Sequence, residues 1–205
     1  MKTHNVILIG VLAAVGAGDL MAVEEAEYRV SLQQAKFEVR EYSPSMVAEV
    51  VVKGGFEDAS SAAFRKLFNY ISGGNTRRNK IAMTAPVSQQ PEAQKIAMTS
   101  PVGQRAAGQE WAVSFMMPAS YTVDTIPVPD DPAVVLREVP AHRAAAIRYS
   151  GGWSKGRYEK HLALLEGWIE QNKLKAAGEP VWARYNAPFT PWFMRRNEIL
   201  ITLMP

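Results

Sequence analysis

Large and rigid side chains crowd a short stretch near the C-terminus, where Tyr185, Phe189, Pro191, Trp192 and Phe193 fall within nine positions, with Pro188 among them. A loop rarely carries so much aromatic surface unless it plugs the end of the fold or meets a ligand. A second apolar group, Phe64, Leu67, Phe68 and Ile71, recurs at intervals of three and four and makes one broad helical face. Such a face suits a large, flat, apolar ligand, although packing on a core is its commoner use. Met83 and Met98 are soft gap-fillers that can also line a cavity or donate to a metal. Of the three histidines, His4 lies in the leader, His142 stands at a strand start, and His161 is a weak candidate metal ligand on a helix flank. Arg195 and Arg196 beside Glu198 either bind an anion or, more simply, form a structural ion pair.

Hydrolytic and phosphoryl chemistry find no support. The chain holds no Gly-x-Ser-x-Gly, no His-Glu-x-x-His and no phosphate loop. It has no cysteine, which excludes disulfides, thiolate catalysis, Cys-ligated zinc, iron–sulfur clusters and thioether-linked haem. A net charge of +3, spread over scattered Lys and Arg, provides no groove for nucleic acid. The expected character is therefore binding rather than catalysis.

The elements that position these residues come from a duplication. Val39 to Phe56 aligns without a gap on Leu136 to Trp153 at an offset of 97, matching Arg40-Glu41 to Arg137-Glu138 and Gly54-Gly55-Phe56 to Gly151-Gly152-Trp153. Phe37–Tyr42 alternates as a half-buried strand, and 46–52 is its returning partner. A helix over 59–72 is expected next, capped by Asp58 or Ser60 and stopped by Gly73-Gly74-Asn75. Two near-identical segments follow at an offset of 15, Lys80 to Val87, a strand ending in Met83-Thr-Ala-Pro86 that feeds a polar loop, and Lys95 to Val102, a copy that lengthens the loop; then come a strand over 111–116 and an irregular connector over 118–132. The second half repeats the plan, with strands over 134–139 and 143–149, a helix over 154–172, and strands over 181–185 and 198–202. The sum is an α+β fold, a distorted antiparallel β-barrel of about eight strands flanked by two helices and built from two pseudosymmetric repeats, about 37–117 and 133–205.

Residues 1–22 have a basic start, an apolar run from Val6 to Ala17, and a small residue, Ala22, before acidic Glu24 and Glu25. This order reads as a secretory signal, with cleavage after Ala22 or at the alternative Ala17, and places the mature protein, 23–205, in the periplasm or outside the cell.

The combination of Phe37–Tyr42, Tyr70-Ile71-Ser72-Gly73-Gly74-Asn75, Lys80-Ile-Ala-Met-Thr-Ala-Pro-Val87, Gly151-Gly152-Trp153, Tyr185-Asn-Ala-Pro-Phe189 and Arg196-Asn197-Glu198 resembles the SOUL haem-binding proteins. The resemblance runs from about Val23 to the C-terminus. It implies non-covalent binding of haem or another tetrapyrrole, in a shallow apolar groove beside the first helix and under the loop from Tyr185 to Trp192. Phe64, Leu67, Phe68, Ile71, Met83, Tyr185, Phe189 and Trp192 are then the expected contacts. Where one member carries a proposed axial histidine this chain has Glu41, and Ser61, Asn69 and Thr190 stand where other members present cations to the propionates. The implied role is carriage, buffering or scavenging of a tetrapyrrole. The alternative is a GyrI-like small-molecule barrel, sensor or hydrolase-like, with Glu41, Glu49 or Glu138 facing a non-porphyrin ligand.

Overall fold

The computed structural model describes residues 23–78 and 92–205. Its elements in order are β1 (Tyr28–Gln34), β2 (Phe37–Tyr42), β3 (Ser45–Val52), α1 (Phe56–Ile71), β4 (Asn75–Thr76), β5 (Val102–Ala107), β6 (Glu110–Met116), β7 (Val128–Pro129), β8 (Val135–Val139), β9 (His142–Tyr149), α2 (Lys155–Gln171), β10 (Val181–Arg184) and β11 (Asn197–Leu203). Nine strands form one curled antiparallel sheet in the order β1-β2-β9-β11-β10-β5-β6-β3-β8, and β4 pairs with β7 apart from it. The sheet is a half-barrel: β1 and β8 end it without meeting. The two sequence copies pair crosswise, β2 with β9 and β3 with β8.

Each helix closes one core. Leu67, Tyr70 and Ile71 of α1 pack with Val50, Val113 and Phe115. Leu165, Trp168 and Ile169 of α2 pack with Ile147, Trp182 and Ile199. Phe56, the first residue of α1, crosses into the second core, stacked on Trp182 at 4.9 Å and edge-on to Trp111 at 5.1 Å. That anchor explains why α1 begins three residues before the expected start. Its N-cap is Gly55, and neither Asp58 nor Ser60 caps it, because aromatic packing rather than a capping oxygen sets the first turn.

Two strands of the nine-stranded sheet, and the short β4–β7 pair, lie outside the strands expected from the sequence. β1 is an exposed edge strand, with Val30 40% and Leu32 36% exposed, so its pattern lacks a buried face. β5 carries Gly103, Gln104 and Ala106 where strands favour branched residues, and it is held by β6 and β10 on either side. The second copy of the repeated segment, Lys95 to Val102, is irregular up to Thr99, with Ile96 donating its backbone N–H to the Ile71 carbonyl. The first copy lies outside the described residues.

Candidate functional site

The β10–β11 loop is built on a buried ionic base. Glu198 is completely buried and accepts from both terminal nitrogens of Arg40, at 2.6 and 3.1 Å, from Arg196 Nε at 2.9 Å and from the Tyr185 hydroxyl at 2.9 Å. Burial alone would raise its carboxyl pKa. The Arg40 and Arg196 guanidinium groups outweigh that and hold it below the ordinary glutamate value. Arg196 lies 3.7 Å over the Tyr185 ring and reaches Glu25 at 2.8 Å. Tyr185 is thus a strut rather than an open ligand contact; burial, then Glu198, drives its hydroxyl pKa far above the usual tyrosine value. The Arg196–Glu198 pair is the structural ion pair that their proximity in sequence suggested.

Above this base the loop presents apolar surface to solvent. Phe189 is 90% exposed, Trp192 62%, Phe193 60% and Met194 65%. The exposure is braced, since Arg195 donates to the Thr190 carbonyl at 2.8 Å and to the Pro188 carbonyl at 2.6 Å, and 192–194 form a short 3-10 turn. Hydrophobic exposure on this scale at a fixed loop marks a contact surface. The loop does not plug the fold.

The first helix corrects half of its expected contact set. Leu67 and Ile71 are 0% and 4% exposed and belong to the core, so they offer a surface ligand almost nothing. The physical reason is the ridge Ala59, Ala63, Leu67 and Tyr70, which faces the sheet and displaces the expected apolar face sideways. Phe64 sits at the flank, edge-on to Phe115 at 5.2 Å, and Phe68 stacks on it at 5.9 Å while 48% exposed. Phe64 is thus half-buried and Phe68 open to solvent. Met83 lies outside the described residues, and Met98 is exposed.

Two cavities bear on the site. One of about 350 Å³ lies under the loop, lined by Arg148, Tyr149, Ser150, Phe193, Met194 and the adjoining arginines. The other, about 550 Å³, has Met46, Met116 and Met117 in its wall and Glu24, Glu27 and Glu138 around it. Neither is lined by α1, so the expected single groove shared by α1 and the 185–192 loop is not one of these cavities. Of the carboxylates expected to face a pocket, only Glu138 lines one of the two; Glu49 is bound by Arg105 and Arg137, and Glu41 by Arg29.

His161 is packed rather than free. It stacks on Tyr149 at 3.8 Å, its Nδ1 lies 2.8 Å from the Arg157 carbonyl, and burial lowers its pKa. With Nδ1 as donor, only Nε2 remains for a metal. No group of three His, Cys, Asp or Glu arranged to hold a metal occurs among the described residues. His142 stacks on Tyr42 at 5.1 Å.

A curled antiparallel sheet with a helix against each core and a braced apolar loop at one end defines an α+β protein whose surface is shaped for contact. Solved structures of the same fold include the EcmrR C-terminal domain, TM-score 0.54 and 10% identical over 86% of this chain and 98% of that one. A hydrolase from Listeria innocua aligns at TM-score 0.53 and 11% identity, covering 85% of this chain and 94% of the other. At such identities these likenesses concern the fold alone. The SOUL heme-binding protein family matches residues 23–202, and the chain belongs to that family. Among its relatives are heme-binding protein 2 of Mus musculus, 26% identical over 176 residues, and heme-binding protein 1 of Xenopus tropicalis, 24% identical over 166 residues. The first alignment covers 81% of each chain, the second 80% of this chain and 81% of the relative.

Proposed function

We propose that this chain is an exported protein that binds haem or a related tetrapyrrole non-covalently, mainly by apolar contact, for carriage, buffering or scavenging. Family membership supports the ligand class, and the absence of cysteine removes thioether attachment. The observation that carries the mode of binding is the braced loop, whose Phe189, Trp192, Phe193 and Met194 stand open to solvent. These residues fit a planar macrocycle, as does the stacked Phe64–Phe68 pair. An iron tetrapyrrole would bring redox and ligand-binding chemistry of its own. The chain's part is to cover the macrocycle's faces and exclude water, as a binding protein rather than an enzyme. Export rests on the composition of residues 1–22, and the periplasm or the exterior is the proposed location.

The test is titration of the mature protein with hemin and with iron-free protoporphyrin, followed by tryptophan quenching and Soret absorbance. Apolar holding predicts similar affinities for the two. Truncating Trp192 to Ala should then cost about 1–3 kcal/mol, roughly tenfold to a hundredfold in affinity. Failure of the parent to bind either porphyrin refutes the reading.

The acidic, methionine-walled cavity favours one second reading, a GyrI-like site for a small organic cation beside Glu138. A lipophilic quaternary ammonium dye that binds the parent but not Glu138→Gln, alongside no porphyrin binding, would establish it.

A further inference from the structure

The two copies of the Gly-Gly-aromatic turn lead into helices whose first turns carry opposite charge. The first turn of α1 holds Glu57 and Asp58, as the positive end of a helix dipole favours. The first turn of α2 holds no acid, Ser154 makes no side-chain cap, and Lys155 and Arg157 stand there instead.

Further cations converge on the same turn. Arg184 lies 5.5 Å from the Trp153 ring and 4.8 Å from the Trp182 ring, and Arg195 lies 4.3 Å from Trp153 on its own approach. Arg157 overlies Gly151 so closely that a Cβ built there would come within 2.8 Å of its Nη1. Among the described residues no carboxylate pairs with Arg157, Arg184 or Arg195. Like charges gathered at one turn, two of them on one indole, repel each other without a counter-ion, and an anion entering the cluster would relieve them.

Buried polar atoms without partners occupy the same place. Arg184 Nε, the Tyr149 hydroxyl and Trp182 Nε1 are all buried and unbonded, and Tyr149 and Trp182 are only 8% and 2% exposed. Trp182 Nε1 approaches the Tyr149 hydroxyl without reaching hydrogen-bond geometry. Burial raises the Tyr149 pKa, with Arg157 and Arg184 close enough to pull against it. Burial likewise pushes Arg184 down to about 10, with no carboxylate opposing the shift. Orphaned donors of this kind are expensive unless something accepts from them. The turn itself is rigid: Trp153 Nε1 donates to Asn197 Oδ1 at 2.8 Å, and Asn197 Nδ2 donates to the Gly151 carbonyl at 3.1 Å.

We propose that Arg157, Arg184 and Tyr149, gathered beside the Gly151-Gly152-Trp153 turn at the head of α2, form a carboxylate-binding site. A guanidinium fork matches a planar carboxylate, and the tyrosine hydroxyl and the uncapped helix amides add further donors. Tyr149 and Arg195 also line the cavity beneath the aromatic loop, so the site adjoins the surface assigned above to a tetrapyrrole. The carboxylate comes either from a propionate of that ligand, which rests on the tetrapyrrole reading, or from a free small acid.

Two measurements on the mature protein separate the sources. The first compares protoporphyrin IX with its dimethyl ester, by tryptophan quenching, in the parent, Arg184→Met and Arg157→Gln. The second follows thermal midpoints with and without millimolar benzoate in the same proteins. A propionate source predicts that the parent prefers the free acid by about tenfold or more and that both variants lose most of this preference. Equal binding of acid and ester, with benzoate stabilising the parent and not the variants, supports the site with a free acid as its ligand. Benzoate stabilisation without any porphyrin binding supports the site and removes the tetrapyrrole reading. The proposal is overturned if benzoate stabilises no protein and acid and ester bind alike, or if any preference survives both substitutions. Arg157 is exposed, so its variant keeps the test open should Arg184→Met fail to fold.

Discussion

Replacing Glu198 by Gln changes little in shape and removes the charge on which the loop's base depends. The carboxylate is completely buried and bonded to Arg40, Arg196 and Tyr185, with Arg40 itself only 2% exposed at its side chain. Neutralising Glu198 leaves Arg40 buried with only Glu38, at 2.7 Å, as its counter-ion, and removing one partner of a buried pair costs about 3–5 kcal/mol in comparable cases. For a domain of this size each kcal/mol lowers the midpoint by about 2–4 °C, so a fall of roughly 6–20 °C is expected. Urea melts of parent and variant at neutral pH, fitted with a common slope, would measure the loss. The acid dependence gives a second readout. Glu198 has a depressed folded-state pKa, so its contribution is complete above the unfolded value of about 4.3 and is lost as pH falls through the folded value. The gap between parent and variant should therefore close in acid. A loss under about 1 kcal/mol, or a gap that persists at low pH, would refute the view that this charge holds the loop's base.

The remaining expectations separate core from contact surface. Leu67→Ala should destabilise by about 2–5 kcal/mol in a thermal or urea melt, because Leu67 is fully buried. Phe68→Ala should leave the melt nearly unchanged and weaken porphyrin binding by about tenfold, as quenching titrations would report. His161→Ala should preserve hemin affinity, and loss of the Soret shift in that variant would move the iron to α2. The exported protein should begin at Val23, which N-terminal sequencing and intact mass would decide.

What the sequence determined by itself was carried by local pattern. Alternation identified β2, three-and-four spacing identified α2, and the Arg40-Glu41 and Gly-Gly-aromatic matches placed β9 by analogy with β3, because periodicity and repeated motifs need no knowledge of distant neighbours. The crowded aromatics of 185–193 were also legible as a loop presenting its side chains. Tertiary structure alone decided which apolar residues face inward. Alanines at 59 and 63 turned α1 so that Leu67 entered the core and Phe68 was left in solvent, a choice made by close packing against β3 and β6 that side-chain hydrophobicity does not encode. The pairing of Arg40 with Glu198 joins residues 158 apart in the chain, and the convergence of Arg184 and Arg195 on Trp153, with Arg157 against Gly151, likewise needs the sheet to bring β10, the loop and the head of α2 together. Long-range charge geometry of that kind is a property of topology, and a linear pattern holds no measure of it.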